Sequence, residues 1–510
     1  MTRFSQILTL LLVLALLWLA GCGGAQPVAD QQPTPQVEGS SRTITAILLQ
    51  LNDVYEITPV QGGKRGGLAR VATLLQRLTA ENPNTFSVLA GDFYSPSALG
   101  TARVDGERLA GKQMVAALNT MGLDFVTFGN HEFDVSREQF YQRLSESEFM
   151  YISSNVFDEN GQPFPGVLDH HILKVPGQPG DTLRIGIVGV TIDSNPEGYV
   201  SYTDPIDAVK TRIAAVAGRT DAQIALTHLA LPQDIELAGA VPELDLIMGG
   251  HEHENWYVER GPSMTPITKA DGNARTAYLH HLRFNPETGD LSVRSRLLDI
   301  TDALPEDPAT ARVVETWVER GFEGFRQQGL QPAEPVVTLP VALDGRESTI
   351  RNRSSNLSDL IADAMLRVAP EAEMSLYNGG SIRIDDVVPP GTLIEYDVIR
   401  ILPFGGDVLS VDMKGSLLDS VLTQGVANQG TGGFLQHARV DRQDGQWRVG
   451  GRPVDPARTY RVAISDFLVK GLEQNLDYLN YNNPGLTAVG AHGDIRLAVI
   501  AELKQKYDGQ

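Results

Sequence analysis

Five short apolar runs, each closed by polar residues of metal-binding type, constrain this chain more than any other feature. "ITAILLQLND" ends in Asp53, "FSVLAGD" in Asp92, and "FVTFGNHE" in Asn130 and His131; "AQIALTHL" carries His228, and "LDLIMGGHEH" ends in His251 and His253. A run of roughly four to eight apolar residues bounded by glycine and turn residues reads as a buried strand. Helical patterns lie between them. In "GGLARVATLLQRLTA" Leu68, Val71, Leu75 and Leu78 recur at helical spacing, and "GERLAGKQMVAALNTMG" reads as a second helix. With "LRIGIVGV", strand and helix alternate from Thr43 to about Ile300, and the expected fold class is α/β, a layered domain. Such folds place ligands beyond the carboxyl ends of their strands, where these polar residues fall.

Taken singly, each of these residues has an ordinary explanation. An aspartate after a strand commonly caps a turn, and a lone histidine is usually a satisfied core or surface residue. The weight lies in five recurrences, in one order, within one domain. Hard carboxylates, an amide oxygen and imidazoles, without thiolates, suit two divalent or trivalent ions. Two ions roughly 3.5–4 Å apart can grip a phosphoryl oxygen and activate a bridging hydroxide for in-line attack. Gly91, Gly129, Gly249 and Gly250 stand beside the ligands, where the backbone must turn sharply. His170, His171, His280, His281, His437 and His492 lack that setting and read as structural.

Around residue 305 the pattern changes. "PEDPATARVVETWVERGFEGFRQQG" predicts a long linking helix over 306–331, with Asp307 as N-cap, Pro308 in the first turn, and an apolar stripe of Val314, Trp317, Val318, Phe322 and Phe325. A second globular segment, 332–510, mixes the helical "NLSDLIADAMLRVA" with strands at "EMSLYN", "DVLSVDM" and "TYRVAIS". At the other end, Arg3 and the apolar Ile7–Ala20 form a signal segment over 1–21, too short for a span of about 20 residues. The Pro-, Gln- and Ser-rich stretch over 22–42 reads as a flexible tether to a first globular segment at 43–305. A formal charge of -21 argues against a nucleic-acid polymer as partner, but not against a phosphorylated small molecule held in a local pocket.

Together "GDF", "GNHEFD" and "GHEH" resemble the calcineurin-like metallophosphoesterases, and more narrowly the bacterial 5'-nucleotidase/UDP-sugar hydrolase family, over nearly the whole chain after the tether. The resemblance implies a layered α/β-β-α sandwich, the linking helix, and a second α/β substrate-binding domain. It implies two divalent cations (Mn, Zn, Co or Mg, with Fe also compatible): Asp92 bridging them, Asn130, His228 and His251 completing one site, and Asp53 and His253 in the other. His131 and Asp134 are similar to the family's catalytic pair. "RESTIRNRSSNLSDLI" and "NGGSIR" resemble its arginine segments, which makes Arg351 and Arg383 phosphate ligands. Phe404 in "LPFGG" and Phe467 in "ISDFL" match its aromatic clamp for a nucleobase. "LAGC" resembles a lipoprotein lipobox, and Cys22 is the sole cysteine, so the expected form is extracytoplasmic and lipid-anchored at Cys22. The expected activity is hydrolysis of nucleotide phosphate esters. Its rivals are a cyclic-nucleotide phosphodiesterase, a nucleotide pyrophosphohydrolase, and a non-catalytic surface ligand-binding lipoprotein.

Three positions depart from the family pattern. Gly406 stands for an asparagine, and "KGLEQNLDYLN" replaces a "GGDGY"-type segment, both on the base-recognising side. Tyr55 stands where the family has a histidine two residues after Asp53. Three readings of Tyr55 stay open: a phenolate ligand favouring a trivalent ion, a non-ligand leaving the first site one imidazole short, or a neutral phenol packed beside it.

Overall fold

A computed structural model describes residues 42–194 and 197–508. The signal segment, Cys22 and nearly all of the tether lie outside the described residues. Among the described residues no helix is long and apolar enough to cross a membrane.

The first domain is built on two six-stranded sheets. Its elements in chain order are β1 (Ile44–Leu51), α1 (Leu68–Glu81), β2 (Thr85–Ala90), α2 (Lys112–Met121), β3 (Phe125–Thr127), α3 (Arg137–Glu146) and β4 (Met150–Tyr151). Then come β5 (His171–Pro176), β6 (Thr182–Thr191), α4 (Pro205–Val216), β7 (Ala222–His228), α5 (Leu231–Ala240) and β8 (Leu246–Gly249). β9 (Trp256–Arg260), β10 (Thr265–Lys269), β11 (Thr276–Phe284) and β12 (Leu291–Asp299) finish the two sheets. The first runs β12-β11-β1-β2-β3-β4 and the second β5-β6-β7-β8-β10-β9. β1 to β4 are mutually parallel, as are β6, β7, β8 and β10.

β1 shows why its sequence is apolar almost throughout. Ile44, Ala46 and Leu48 enter the core between the sheets, while Ile47, Leu49 and Leu51 enter the core beneath α1 and α2. A strand covered on both faces reads as an unbroken apolar run. The outer face of the second sheet is covered by α4 and α5 through Val209, Ile213 and Leu237. The expected sandwich is therefore present, with helices outside two stacked sheets.

The expected second helix is shorter than its pattern. It begins only at Lys112, because Ala110 and Gly111 adopt positive φ (43° and 85°) and Glu107–Arg108 pairs with Arg103–Val104 in a hairpin. α6 (Pro308–Gln327) starts as expected: the Asp307 carboxylate accepts the Thr310 N–H at 2.8 Å, and Pro308 occupies the first turn. Its apolar stripe packs on the core shared with α1 and α2.

The second domain contains a four-residue helix α7 (Glu347–Ile350), α8 (Asn356–Val368), β13 (Met374–Asn378), α9 (Glu395–Ile401), β14 (Asp407–Lys414) and α10 (Gly415–Ala427). β15 (Leu435–Ala438), β16 (Thr459–Ser465), β17 (Leu486–Asp494) and α11 (Ile495–Tyr507) follow. Its five-stranded sheet runs β15-β13-β16-β14-β17, with α8 and α11 packed on one core and α10 on another.

Candidate metal centre

Parallel strands put their carboxyl ends on one rim. Asp53, Asp92 and Asn130 follow β1, β2 and β3, three neighbours in the first sheet. His228 closes β7 and His251 follows β8, neighbours in the second sheet. Gln50, buried at the end of β1, joins the two sheets: its amide donates to Gly249 O at 3.0 Å and Thr268 O at 2.9 Å. Asp53, Asp92 and His251 all have left-handed backbone (φ 52°, 57° and 81°), a conformation non-glycine residues adopt at some cost.

The side chains converge. Ligand atoms of Asp53, Asp92 and His228 lie within 4.8 Å of one another, all three residues buried. His228 Nδ1 donates to Ala90 O at 2.8 Å, which aims Nε2 at Asp92 Oδ2, 3.2 Å away. The His228 and His251 rings lie 5.3 Å apart. Asn130 Oδ1 and His228 Nε2 are buried with no hydrogen-bond partner, an uncommon state for interior polar atoms. On the other side of Asp92, His253 Nε2 lies 3.6 Å from Asp53 Oδ1, and the Tyr55 hydroxyl is 3.1 Å from both Asp92 Oδ2 and His253 Nε2. Close approach explains Gly129, where a Cβ would stand 2.0 Å from Asp92 Oδ1. Buried carboxylates and imidazoles gathered around Asp92, with ligand atoms of Asn130 and His228 left unpartnered, make a donor set that suits hard cations.

Electrostatics agree with that donor set. Burial works against a charged imidazole at His228, but the Asp92 carboxylate outweighs it and lifts the group to about 9. Burial is likewise outweighed at His253, chiefly by Asp385, and the group rises to about 10. His251 goes the other way, down to about 3, through burial and then the charge of His228. Burial pushes Asp53 up, whereas at Asp92 it is overcome by His228 and His131 and the carboxyl falls below its usual range. The anionic oxygens that favour positive charge at His228 and His253 favour a metal cation by the same field, while burial disfavours charge on His251.

His131 and Asp134 meet beside this cluster, Nδ1 to Oδ2 at 2.6 Å, and the His131 backbone N–H donates to Asp92 Oδ1 at 2.8 Å. Burial opposes charging His131, but Asp92 and then Asp134 raise it above its ordinary value. From the second domain Arg383 brings Nη2 to 3.4 Å from His131 Nε2. Glu347 holds both arginines: Arg351 in a close ion pair, Arg383 at 3.5 Å. Arg346, by contrast, pairs with Asp344 at the surface.

Phe404 and Phe467 are 53% and 36% exposed, which excludes a core role, and both line a cavity of about 480 Å³. Leu472 and the buried, unpartnered hydroxyl of Ser465 also line it. Phe404 and Arg108 are shared with a second cavity of about 300 Å³ that reaches Asp134, so one continuous groove joins the aromatic pair to the His131–Asp134 pair. Gly406, where the family pattern has asparagine, has φ 103°, a backbone that side chains rarely adopt, and a Cβ there would lie 2.5 Å from Asp466 Oδ1, so a side chain at this position is strained.

Sequence reasoning missed the supports. Glu132, inside "GNHEFD", is fully buried and accepts the backbone N–H of Asp92 (2.8 Å), Phe93 (2.7 Å), Tyr94 (3.1 Å) and Gly129 (2.5 Å), which binds the β2 and β3 loops together. Burial and then Asp92 push it up to about 7. Lys269 is also fully buried, donating to Leu229 O at 2.6 Å and Gly250 O at 2.8 Å and pairing with Asp234 at 2.8 Å. It fixes the loops that carry His228 and His251. Asn273 accepts the N–H groups of Tyr55 and Glu56 at 2.9 and 3.1 Å. Only Glu132 had a signal, its place between His131 and Asp134; nothing local marks a lysine or asparagine as a loop clamp.

Residues 47–255 match the family described as calcineurin-like phosphoesterase, and residues 335–479 that described as 5'-nucleotidase, C-terminal domain. The chain is a calcineurin-like phosphoesterase joined to a 5'-nucleotidase C-terminal domain. It is a metal-dependent phosphoric ester hydrolase, and divalent ions are implied by its family. The phosphoesterase is 26% identical over 426 residues to the trifunctional nucleotide phosphoesterase of Bacillus subtilis, covering 73% of this chain and 28% of that longer protein. It is 28% identical over 411 residues to the 5'-nucleotidase of Homo sapiens, covering 73% of this chain and 68% of that one. The crystal structure of a 5'-nucleotidase precursor from Thermus thermophilus shares its fold, with a TM-score of 0.72 and 24% identity over 91% of this chain and 96% of that one.

Proposed function

We propose that this phosphoesterase is an extracytoplasmic, two-metal hydrolase that releases phosphate from nucleotide esters. The observation that carries the reading is the buried convergence of Asp53, Asp92 and His228, with His228 Nε2 and the nearby loop's Asn130 Oδ1 left without hydrogen-bond partners. Asp92 would serve both metal positions, with Asn130, His228 and His251 holding one ion and Asp53 and His253 the other. Bound cations would supply Lewis acidity and a water ionised near neutral pH. The chain's own residues do the rest. Arg351 and Arg383 bind phosphate oxygens through their planar guanidinium groups. His131, with Nδ1 fixed by Asp134, directs Nε2 at the phosphoryl or leaving oxygen and steadies charge there. Phe404 and Phe467 offer exposed ring faces to a base at the far end of the groove.

The relatives named as nucleotide phosphoesterase and 5'-nucleotidase support a nucleotide substrate. A second reading, a phosphodiesterase or pyrophosphohydrolase, is favoured by two observations: the strained glycine backbone at position 406 and the exposure of Leu472 both alter the base end of the groove. The extracytoplasmic, lipid-anchored form rests on the signal segment and Cys22. Two divalent ions, as Mn, Co, Zn or Mg, with Fe also compatible, are the cofactors of this reading.

The test is a hydrolysis panel of nucleoside mono-, di- and cyclic phosphates with the metal-reconstituted protein. The proposal expects phosphate release from nucleoside monophosphates, with His131→Ala slowing it by about 10²–10⁴-fold. Turnover confined to cyclic phosphates or diphosphates would favour the second reading. No hydrolysis, with ligand binding unchanged in His131→Ala, would make the protein a binding lipoprotein.

A further inference from the structure

The first domain does not finish its own metal centre. His253 turns Nε2 toward Tyr55 and Asp53, and turns Nδ1 into a close hydrogen bond with Oδ2 of Asp385. Asp385 belongs to the second domain, two residues past Arg383. An imidazole that ligates through Nε2 must keep its proton on Nδ1, and an acceptor at Nδ1 fixes both the tautomer and the plane of the ring. Asp385 is itself held: its other oxygen accepts the Glu347 backbone N–H at 2.6 Å, and its backbone is left-handed with φ 37°. We propose that Asp385 is a positioning residue for His253, so that filling of the metal position at Asp53 and His253 is coupled to how the two domains meet. The inference rests on the two-metal reading above.

A rival for the same atoms is a further ion among His253, Glu347 and Asp385, whose ligand atoms lie within 4.8 Å of one another. The charges already present argue against it. Glu347 is paired with Arg351 and Arg383, and its carboxylate is thereby neutralised. Asp385 is then engaged at both oxygens, Oδ1 by the Glu347 backbone N–H and Oδ2 by His253.

The surroundings show that the contact is part of a domain seam. Arg275 donates to His253 O at 2.8 Å and reaches Asp386 Oδ1 at 3.4 Å, and the Gln61 amide donates to both Asp386 oxygens at 2.9 and 3.0 Å. The loop carrying Asp53 and Tyr55 is gripped as well: Glu56 accepts the Tyr396 hydroxyl at 3.1 Å and pairs with Arg400 at 3.5 Å. Separation of the domains removes the Nδ1 acceptor. By linkage, any factor by which closure tightens metal binding is the factor by which the metal favours closure.

The experiment is a chelator-competition titration of full-length protein with Mn(II), together with the absorption spectrum of its Co(II) form, for the parent, Asp385→Asn and Asp386→Asn. Loss of an acceptor behind a ligating histidine weakens binding by about 10–100-fold. Asp385→Asn should weaken one of two equivalents by that factor and alter the Co(II) spectrum, while the other equivalent stays unchanged. Asp386→Asn disturbs the same seam without touching His253 and should change neither readout. Equal affinity in Asp385→Asn and the parent would overturn the proposal, as would equal weakening in Asp386→Asn, which would make the effect a general loss of the seam. A parent that binds no Mn(II) would overturn the metal reading and the coupling together.

Discussion

The hydroxyl of Tyr55 donates to Oδ2 of Asp92 across 3.1 Å, which puts a phenol at the centre of a cluster otherwise made of metal-type ligands. Burial, then Asp92 and Asp53, drive this phenol well above its ordinary value of 10.0. A neutral phenol is a weak ligand and a good donor, and the geometry is that of a donor shared between carboxylates.

Tyr55→Phe should therefore keep both metal equivalents and stay within about threefold of parent activity, losing only one hydrogen bond of about 1 kcal/mol. Metal analysis of the purified variant checks this, and loss of one equivalent would show that the phenol ligates.

Glu132 makes a stronger claim. One carboxylate accepts four backbone N–H groups from two loops, and a glutamine amide there would aim its own N–H groups at donors. Glu132→Gln should lower stability by about 3 kcal/mol, at the upper end of the cost of an unsatisfied buried polar group. Urea unfolding with chelator present measures it without the metal's contribution, and an unchanged midpoint would refute the clamp.

How much was legible in advance follows from the same residues. Strand ends and their ligands could be read because β1, β2, β3, β7 and β8 are largely buried and so appear as mainly apolar runs. The start of α2 was misread because the positive φ of Ala110 leaves no compositional mark. The clamps at Lys269 and Asn273, and Asp385 behind His253, are contacts between residues 19 to more than 200 positions apart, which no local pattern encodes. Phe404 and Phe467 were found only through the resemblance, since an exposed aromatic and a core aromatic look alike in sequence.

The start of α6 gives a pH-dependent test. The Asp307 carboxylate accepts the Thr310 N–H, the Thr310 hydroxyl and the Gln76 amide, and these bonds hold it below its ordinary 3.8. A carboxyl depressed by folding stabilises above its unfolded value and loses that contribution as pH falls through the folded one. Asp307→Ala should cost about 1 kcal/mol at pH 7. The gap to the parent should narrow as pH falls below 3.8, as followed by thermal unfolding.

At the base end of the groove, Phe404→Ala and Phe467→Ala should each raise KM for a nucleoside monophosphate by about tenfold, since base–aromatic stacking is worth about 1–3 kcal/mol per base. Neither should shift kcat for a small phosphate ester that lacks a base. Equal losses on both substrates would mean that the rings support the fold and not the base.

The central claim is that Asp92 serves two metal positions at once, and metal counting by mass spectrometry on Mn(II)-reconstituted protein tests it most directly. The account predicts two equivalents in the parent and a deficit at both positions in Asp92→Asn, with phosphate release lost alongside. A parent holding one equivalent, or an Asp92→Asn variant still holding two, would contradict it.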